Sequence, residues 1–509
     1  MQRRDFLKML ALTGTSLMTQ GCATSPHVKL DDRILSNLAR LPYHALAESL
    51  PLEQDYECRI EGSLPEGLHG SLFRNGPGLF DRGGLRKRTL LDGDGMIQHF
   101  RFQGGGVHYR TRFVQTEKYR SESAAGRYIH PTWSSQAPGG WWPNFWVTNG
   151  IKSQAGITVY LVNGRLYAFD ESSFPYELDP DTLATVGETT LGVSREETIY
   201  AAHSKIDPRN GEWLHFGIRY GATPLLQLTA FRAGGSLAWR RSIPLPRFVY
   251  LHDWFVSTNY LIVSLQPVEI DFWPALLGLR SISDSMRWRP EKGNLLLVIP
   301  RDPVAPPIQL EAPACFMWHS INAFDEGGMI TADFIGYDNP DHFVGNDPVL
   351  SAVMQGRKGD YAYPGVLRRY RIDVNKKKVS SEILAEGSSY EWPRIDERRL
   401  CGPYRYAYMC EAHKGSFFWN SLARFDTLGG RFNRYDFGNQ VYCSEPVFVP
   451  KPYGKSDEGW LLSECLDSRT GISFLAVLDA QRLEEGPLAR VHLRHHCPFS
   501  YHGFWQAAG

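Results

Sequence analysis

The sequence predicts an all-β protein closed on itself, and three observations carry that expectation. Fourteen strand-like runs, most of 4–8 residues, are spread along the chain; SLFRN (71–75), QHFRF (98–102), WLHFGIRY (213–220), NLLLVIP (294–300) and SFLAVLD (473–479) are typical. Turns rich in Gly, Pro, Asp and Asn separate them, drawn from 48 glycines and 32 prolines. No run of eighteen apolar residues occurs, so a spanning helix is not expected. Many short strands must hide their edges, and full closure removes edges altogether.

Taken in order, residues 1–25 read as an export segment. Arg3 and Arg4 precede a short apolar stretch from Met9 to Met18, which is the twin-arginine pattern and implies a periplasmic address. Gly21-Cys22 offers a possible lipoprotein processing site, with anchorage through Cys22. Residues 26–50 form a polar arm with a short helix near Leu30–Leu41 that clamps the outside of the body. Residues 51–509 carry the strand pattern throughout and are expected to form one β domain. Its clear helical insertion is FWPALLGLRSI (272–282).

Composition excludes several classes. The 55 basic and 55 acidic residues balance, so no nucleic-acid footprint is present. Eight cysteines include no CxxC pair, which argues against a zinc knuckle and for buried free thiols. No GxSxG, HExxH or P-loop pattern appears.

Four segments each centre on one histidine: AAHSKIDP (His203), LHDWFVSTNYLI (His252), MWHSINAF (His319) and SYHGFW (His502). Each lies in or beside a strand-like run, and none has a second ligand at helical spacing. Such histidines meet only where a fold brings several strand ends to one axis, which makes a metal site fixed by rigid backbone. The other histidines weighed (His69, His99, His108, His130, His215, His413, His492, His495 and His496) lack this context and are expected to be ordinary core or surface residues.

These segments, with GSLFRNGPGLF, LLDGDGMIQHFRF, EWPRIDERRLCGPYRYAY and SEPVFVP, resemble the carotenoid cleavage oxygenase family from about residue 50 to the C-terminus. The resemblance implies a seven-bladed β-propeller with a four-histidine iron site on the axis and a cap of helices and loops over one face. It implies that His203, His252, His319 and His502 bind one Fe(2+). It also places Glu171, Glu391 and Glu445 behind three of the histidines, each holding the second ring nitrogen. No catalytic side chain beyond the metal site is expected. Four imidazoles around zinc would form a closed structural site, whereas iron(II) prefers six ligands and keeps two positions open.

The activity implied is that of a non-haem iron(II) dioxygenase that cleaves a conjugated double bond of a carotenoid or apocarotenoid into two carbonyl products. Dioxygen and a lipophilic polyene are the implied partners. A stilbene-cleaving dioxygenase and a polyene isomerase with the same site remain alternatives. For a phenolic substrate, Tyr109, Lys118 and Tyr119 are candidate grips. An apolar tunnel is expected from Tyr109, Phe113, Trp133, Trp141, Trp142, Phe145, Trp146 and Trp254. The stretch Phe272–Leu279, beside Arg280, Arg287 and Arg289, has the composition of a membrane-surface helix.

Overall fold

The computed structural model describes residues 26–145, 151–221, 223–345, 348–358 and 364–508. The export segment, Cys22 and Trp146 lie outside the described residues. The architecture is a seven-bladed propeller, built from seven antiparallel sheets of four to six strands.

The first blade runs from rim to axis as Asp55–Glu57, Gly106–Phe113, Asp94–Gln103, Gly70–Leu79 and, innermost, the C-terminal strand His502–Ala507. The second has Thr158–Val162 innermost, followed outward by Arg165–Phe169, Tyr176–Leu178 and Thr185–Glu188. Blades three to six each start at the axis, with Lys205–Ile206, Phe255–Val256, Phe316–Glu326 and Ser389–Arg394 respectively. In the seventh, Val441–Cys443 and Val447–Pro450 share the inner edge, and the N-terminal strand Arg59–Gly62 forms the rim. The ring is therefore closed twice. The N-terminal region supplies rim strands to blades one and seven, and the C-terminus supplies the inner strand of blade one.

Local sequence explains both closures. The C-terminal strand pairs His502 with Asn75 and Ala507 with Gly70. At Gly76, the next position, a Cβ would lie 2.6 Å from the Ser500 Cα, so only glycine admits the approaching C-terminal chain. Arg74 is fully buried between blades one and seven. It donates to Ser500 Oγ at 2.8 Å, Ser444 Oγ at 3.0 Å and the Glu445 carbonyl at 3.2 Å, and sits 3.4 Å from the Glu464 carboxylate. Leu72, Phe100, Tyr109, Val447, Leu462, Leu475 and Val491 fill the same interface, each burial worth about 1.5–3 kcal/mol.

Insertions cap one face. They include residues 266–293 of blade four, with the short helix Phe272–Leu276, and the connection after Tyr337 in blade five, with the helix Val349–Met354. The 272–282 insertion is thus helical over five residues only; its Pro274 sits in the first turn, and Gly278 ends it in the left-handed region at φ 69°. The arm differs from expectation more. A helix spans Asp32–Leu38, with the Asp31 side chain accepting from Ile34 N–H, but Leu41, Tyr43, Leu46 and Ala47 are buried in the main core rather than clamped outside it. The Leu46 carbonyl accepts from Phe499 N–H at 2.9 Å, which ties the arm to the segment leading into His502. All seven described cysteines are free thiols, and six are buried.

Arg74→Ala would leave the buried Glu464 charge without its partner and should cost about 3–5 kcal/mol of stability. Denaturant unfolding checks this; an unchanged midpoint would show that the guanidinium does not hold the two closing blades together.

Candidate metal centre

The inner strands of four blades bring His203, His252, His319 and His502 together. All four are buried, and their candidate ligand nitrogens lie within 4.8 Å of one another. His203 and His252 stand just before the inner strands of blades three and four, His319 inside that of blade five, and His502 at the start of that of blade one. The remaining three blades supply the glutamates. Glu171 follows the second strand of blade two, Glu391 lies on the inner strand of blade six, and Glu445 lies between the two inner strands of blade seven. Each of the seven blades contributes one residue.

The glutamates take one ring nitrogen each. Glu171 accepts from His252 Nδ1 at 2.8 Å, Glu391 from His319 Nδ1 at 2.6 Å, and Glu445 from His502 Nδ1 at 2.9 Å. A donated Nδ1–H leaves Nε2 with its lone pair on the axis. The Tyr250 hydroxyl sits 3.1 Å from the same His252 nitrogen. Burial, reinforced by Glu171, holds that phenol well above its usual pKa. The His203 ring is placed differently: the Trp254 indole N–H donates to the His203 backbone carbonyl at 3.0 Å, and His203 Nε2 lies 3.1 Å from His252 Nε2.

Burial favours the neutral imidazole at two of the four histidines. Burial pushes the pKa values of His203 and His502 well down, and the neighbouring imidazoles push the same way. His319 differs: burial lowers its pKa, but the Glu391 carboxylate outweighs burial and raises it above the usual value. The His319 Nε2 atom is buried with no hydrogen-bond partner, although its Nδ1 is held. Buried imidazole nitrogens converging on one point, with His319 Nε2 unpartnered, are the donor set a divalent cation needs, so the residues fit a metal ion.

Trp392 supports this cluster at a conformational cost. Its backbone is left-handed, φ 59°, which costs a bulky residue on the order of 1–3 kcal/mol. The Trp392 N–H donates to Glu391 Oε2 at 2.6 Å, and its ring packs 4.9 Å from His319.

An apolar cavity of about 290 Å³ meets the quartet at His252, His319 and His502. Trp133, Trp318, Trp392, Phe418, Trp419 and Tyr501 line it. Of the expected tunnel aromatics among the described residues, only Trp133 is one of them. Tyr109, Phe113 and Trp254 are core side chains, while Trp141, Trp142 and Phe145 cluster with one another near the Phe272–Leu279 segment. The sequence signal missed was adjacency: Trp318, Trp392 and Tyr501 each neighbour a histidine or glutamate of the site.

The proposed phenol grips are also elsewhere. Lys118 is buried against Asp94 at 2.6 Å and Glu122 at 3.0 Å, and Tyr119 stacks on Phe113. Tyr109 donates to Gln98 in the interface between blades one and seven.

Comparison with known proteins agrees with this geometry. Residues 46–507 match the family model described as retinal pigment epithelial membrane protein. The chain belongs to the carotenoid cleavage oxygenase family. It is 32% identical to apocarotenoid-15,15'-oxygenase of Synechocystis over 472 residues, which covers 90% of this chain and 94% of that one. It is 27% identical to lignostilbene-alpha,beta-dioxygenase isozyme III of Sphingomonas paucimobilis, covering 89% and 94% respectively. The solved structure of cobalt-substituted Synechocystis apocarotenoid oxygenase superposes with a TM-score of 0.86 at 31% identity, covering 92% of this chain and 98% of that one.

The histidines outside the quartet behave as this family's fold requires. His99 bonds Ser71, His492 faces Glu61, and His215 sits among Phe169, Tyr200 and Trp213. Burial alone lowers the His215 pKa to about 3. Its unfolded value is higher, so the unfolded chain binds the extra proton below about pH 6.5, and stability is lost as pH falls from there. Between pH 7.5 and 5.5, His215→Phe should remove about 1.4 kcal/mol of this acid destabilisation. Urea midpoints at the two pH values measure it; an unaltered pH slope would sink the assignment.

Proposed function

We propose that this chain is a non-haem iron(II) dioxygenase that splits a conjugated carbon–carbon double bond of an apocarotenoid or carotenoid into two carbonyl fragments. The observation that carries the reading is the quartet of buried imidazoles, three of them oriented by glutamates, opening onto an apolar cavity. His203, His252, His319 and His502 would hold one iron(II), with Glu171, Glu391 and Glu445 fixing three of the rings. Held there, iron(II) would supply the activation of dioxygen for insertion into an electron-rich alkene.

The chain's own residues do the rest. Trp318, Trp392 and Tyr501 surround the axial histidines and exclude water from the reacting bond. The aromatic wall formed by Phe418, Trp419 and Phe499 grips an extended apolar chain and selects which bond lies over the quartet. No side chain need act as nucleophile or general base.

The cavity's character favours a polyene over a hydroxystilbene, because Tyr109, Lys118 and Tyr119 do not line it. Polar groups such as Gln154 and Tyr220 do line the cavity, but its wall is mainly aromatic and aliphatic, which suits a long hydrocarbon chain. The rim supports a lipophilic substrate too. Trp273 is 55% exposed, Leu279 46% and Trp142 59%, beside the exposed Arg280. Ile282, which ends this insertion, lines the cavity itself. This patch is proposed to rest on a membrane surface from which substrate enters. The Arg3-Arg4 pattern supports export of the folded chain to the periplasm.

Three measurements test these readings. Incubation with an apocarotenal under labelled dioxygen should place label in both carbonyl products, with kcat/KM about tenfold above that for a hydroxystilbene. Product of unchanged mass would instead mean isomerisation. His252→Ala should abolish turnover and stoichiometric iron, and Glu391→Ala should weaken iron binding by about 10–100-fold; full activity in His252→Ala refutes the ligand assignment, and wild-type iron affinity in Glu391→Ala refutes the role of Glu391 in holding His319. Trp273→Asp with Leu279→Asp should abolish sedimentation with anionic lipid vesicles, and retained binding would remove the membrane proposal.

A further inference from the structure

The histidine quartet is a partition between two unlike spaces. The apolar cavity touches His252, His319 and His502. A second cavity, of about 410 Å³, reaches His203, His319 and His502 from the other side. Four carboxylates, Asp253, Asp396, Glu397 and Glu445, share its wall with Lys205, Arg394 and Arg398. The carboxylates are graded in depth. The Glu397 side chain is 52% exposed, whereas those of Asp253 and Glu445 are each 2% exposed.

Each acid has a basic partner, and one partner bridges two depths. Arg394 lies 3.0 Å from Glu397 and 3.4 Å from Glu445, with its Nε buried and unpartnered. Deeper in, Lys205 sits 3.0 Å from Asp253, whose other oxygen accepts from the backbone N–H and hydroxyl of Ser320.

We propose that this second cavity is the path by which a hydrated divalent cation reaches the quartet, with Glu397 receiving it at the mouth and Arg394 acting as a movable counter-ion. The inference rests on the reading of the quartet as iron ligands. The aromatic cavity has carboxylates too, Asp170, Glu171 and Glu391, but aromatic and aliphatic side chains make up most of its wall, and a dication would shed water against them at a large desolvation cost. On the carboxylate side, exposed Glu397 stands at the mouth and buried Asp253, Asp396 and Glu445 lie within. Arg394 stays with Glu397 when a cation takes its place near Glu445, because its contact with Glu445 is the longer of the two and the same inner nitrogen also donates to the Gly503 carbonyl at 3.2 Å, an acceptor that does not depend on Glu445. Charge and substrate then approach the same atom from opposite sides, and loading does not require the polyene cavity to be empty.

Apoprotein mixed anaerobically with ferrous ion tests the path. Quenching of tryptophan emission follows loading, since Trp392 packs on His319, and iron per chain is assayed at the end. Glu397→Lys should slow loading about tenfold at low ionic strength, with the deficit shrinking in salt and final iron unchanged. Glu397→Gln should slow it less. Ile151→Trp, in the wall of the apolar cavity, should leave the loading rate unchanged. Wild-type loading by both Glu397 variants, or slowed loading by Ile151→Trp alone, overturns the path while leaving the ligand assignment standing. Wild-type protein that retains no iron overturns the ligand assignment and the path together.

Discussion

Four imidazoles with their free nitrogens inside 4.8 Å of one another need three things at once: neutrality, a fixed tautomer and a wall against bulk water. Burial supplies the first, most plainly at His203 and His502. The three glutamates supply the second. Ring closure supplies the third, and the other features of the structure serve it. The quartet takes one residue from the start of the chain's last strand and three from blades in its middle, so none of its geometry survives unless the ends of the chain are locked together. Arg74, the glycine at position 76 and the paired strand His502–Ala507 are that lock.

Placing one site residue on every blade has a mechanical consequence. Each side chain is held by a sheet whose inner strand cannot shift without breaking its pairing and its packing on the two neighbouring blades. The rigidity expected of a metal site thus comes from the ring as a whole rather than from a loop. Strain is accepted only where it serves this end, as at Trp392, whose left-handed backbone lets one residue bond the Glu391 carboxylate and cover the His319 ring.

The legible strands were those with two unlike faces or long apolar runs, the middle strands of each blade. WLHFGIRY, NLLLVIP and SFLAVLD all appear where the pattern placed them. The innermost strands of blades three and four, Lys205–Ile206 and Phe255–Val256, are two residues long and too short to show a period. The rim strands Leu237–Pro244, Lys378–Ala385 and Arg431–Asp436 are largely exposed, so polar residues fill them and no apolar face marks them. In SFFWNSLARFD only Ser421–Asp426 is strand, because Phe417 and Phe418 turn toward the apolar cavity instead. The arm was misplaced for the same reason: Leu41, Tyr43 and Leu46 sit in a stretch of mixed polarity, and only the cap above them makes that stretch interior.

The sequence by itself determined the closed all-β class and the segments in which the histidines and glutamates stand, because alternation and short motifs are local properties of a chain. Which histidine faces which glutamate, which aromatics wall the cavity, and the existence of a second, charged approach to the quartet were decided by tertiary structure alone. Those relations join residues tens to hundreds of positions apart. They follow from the angle at which each blade meets the axis, and that angle is set by packing between blades, which no stretch of sequence records on its own.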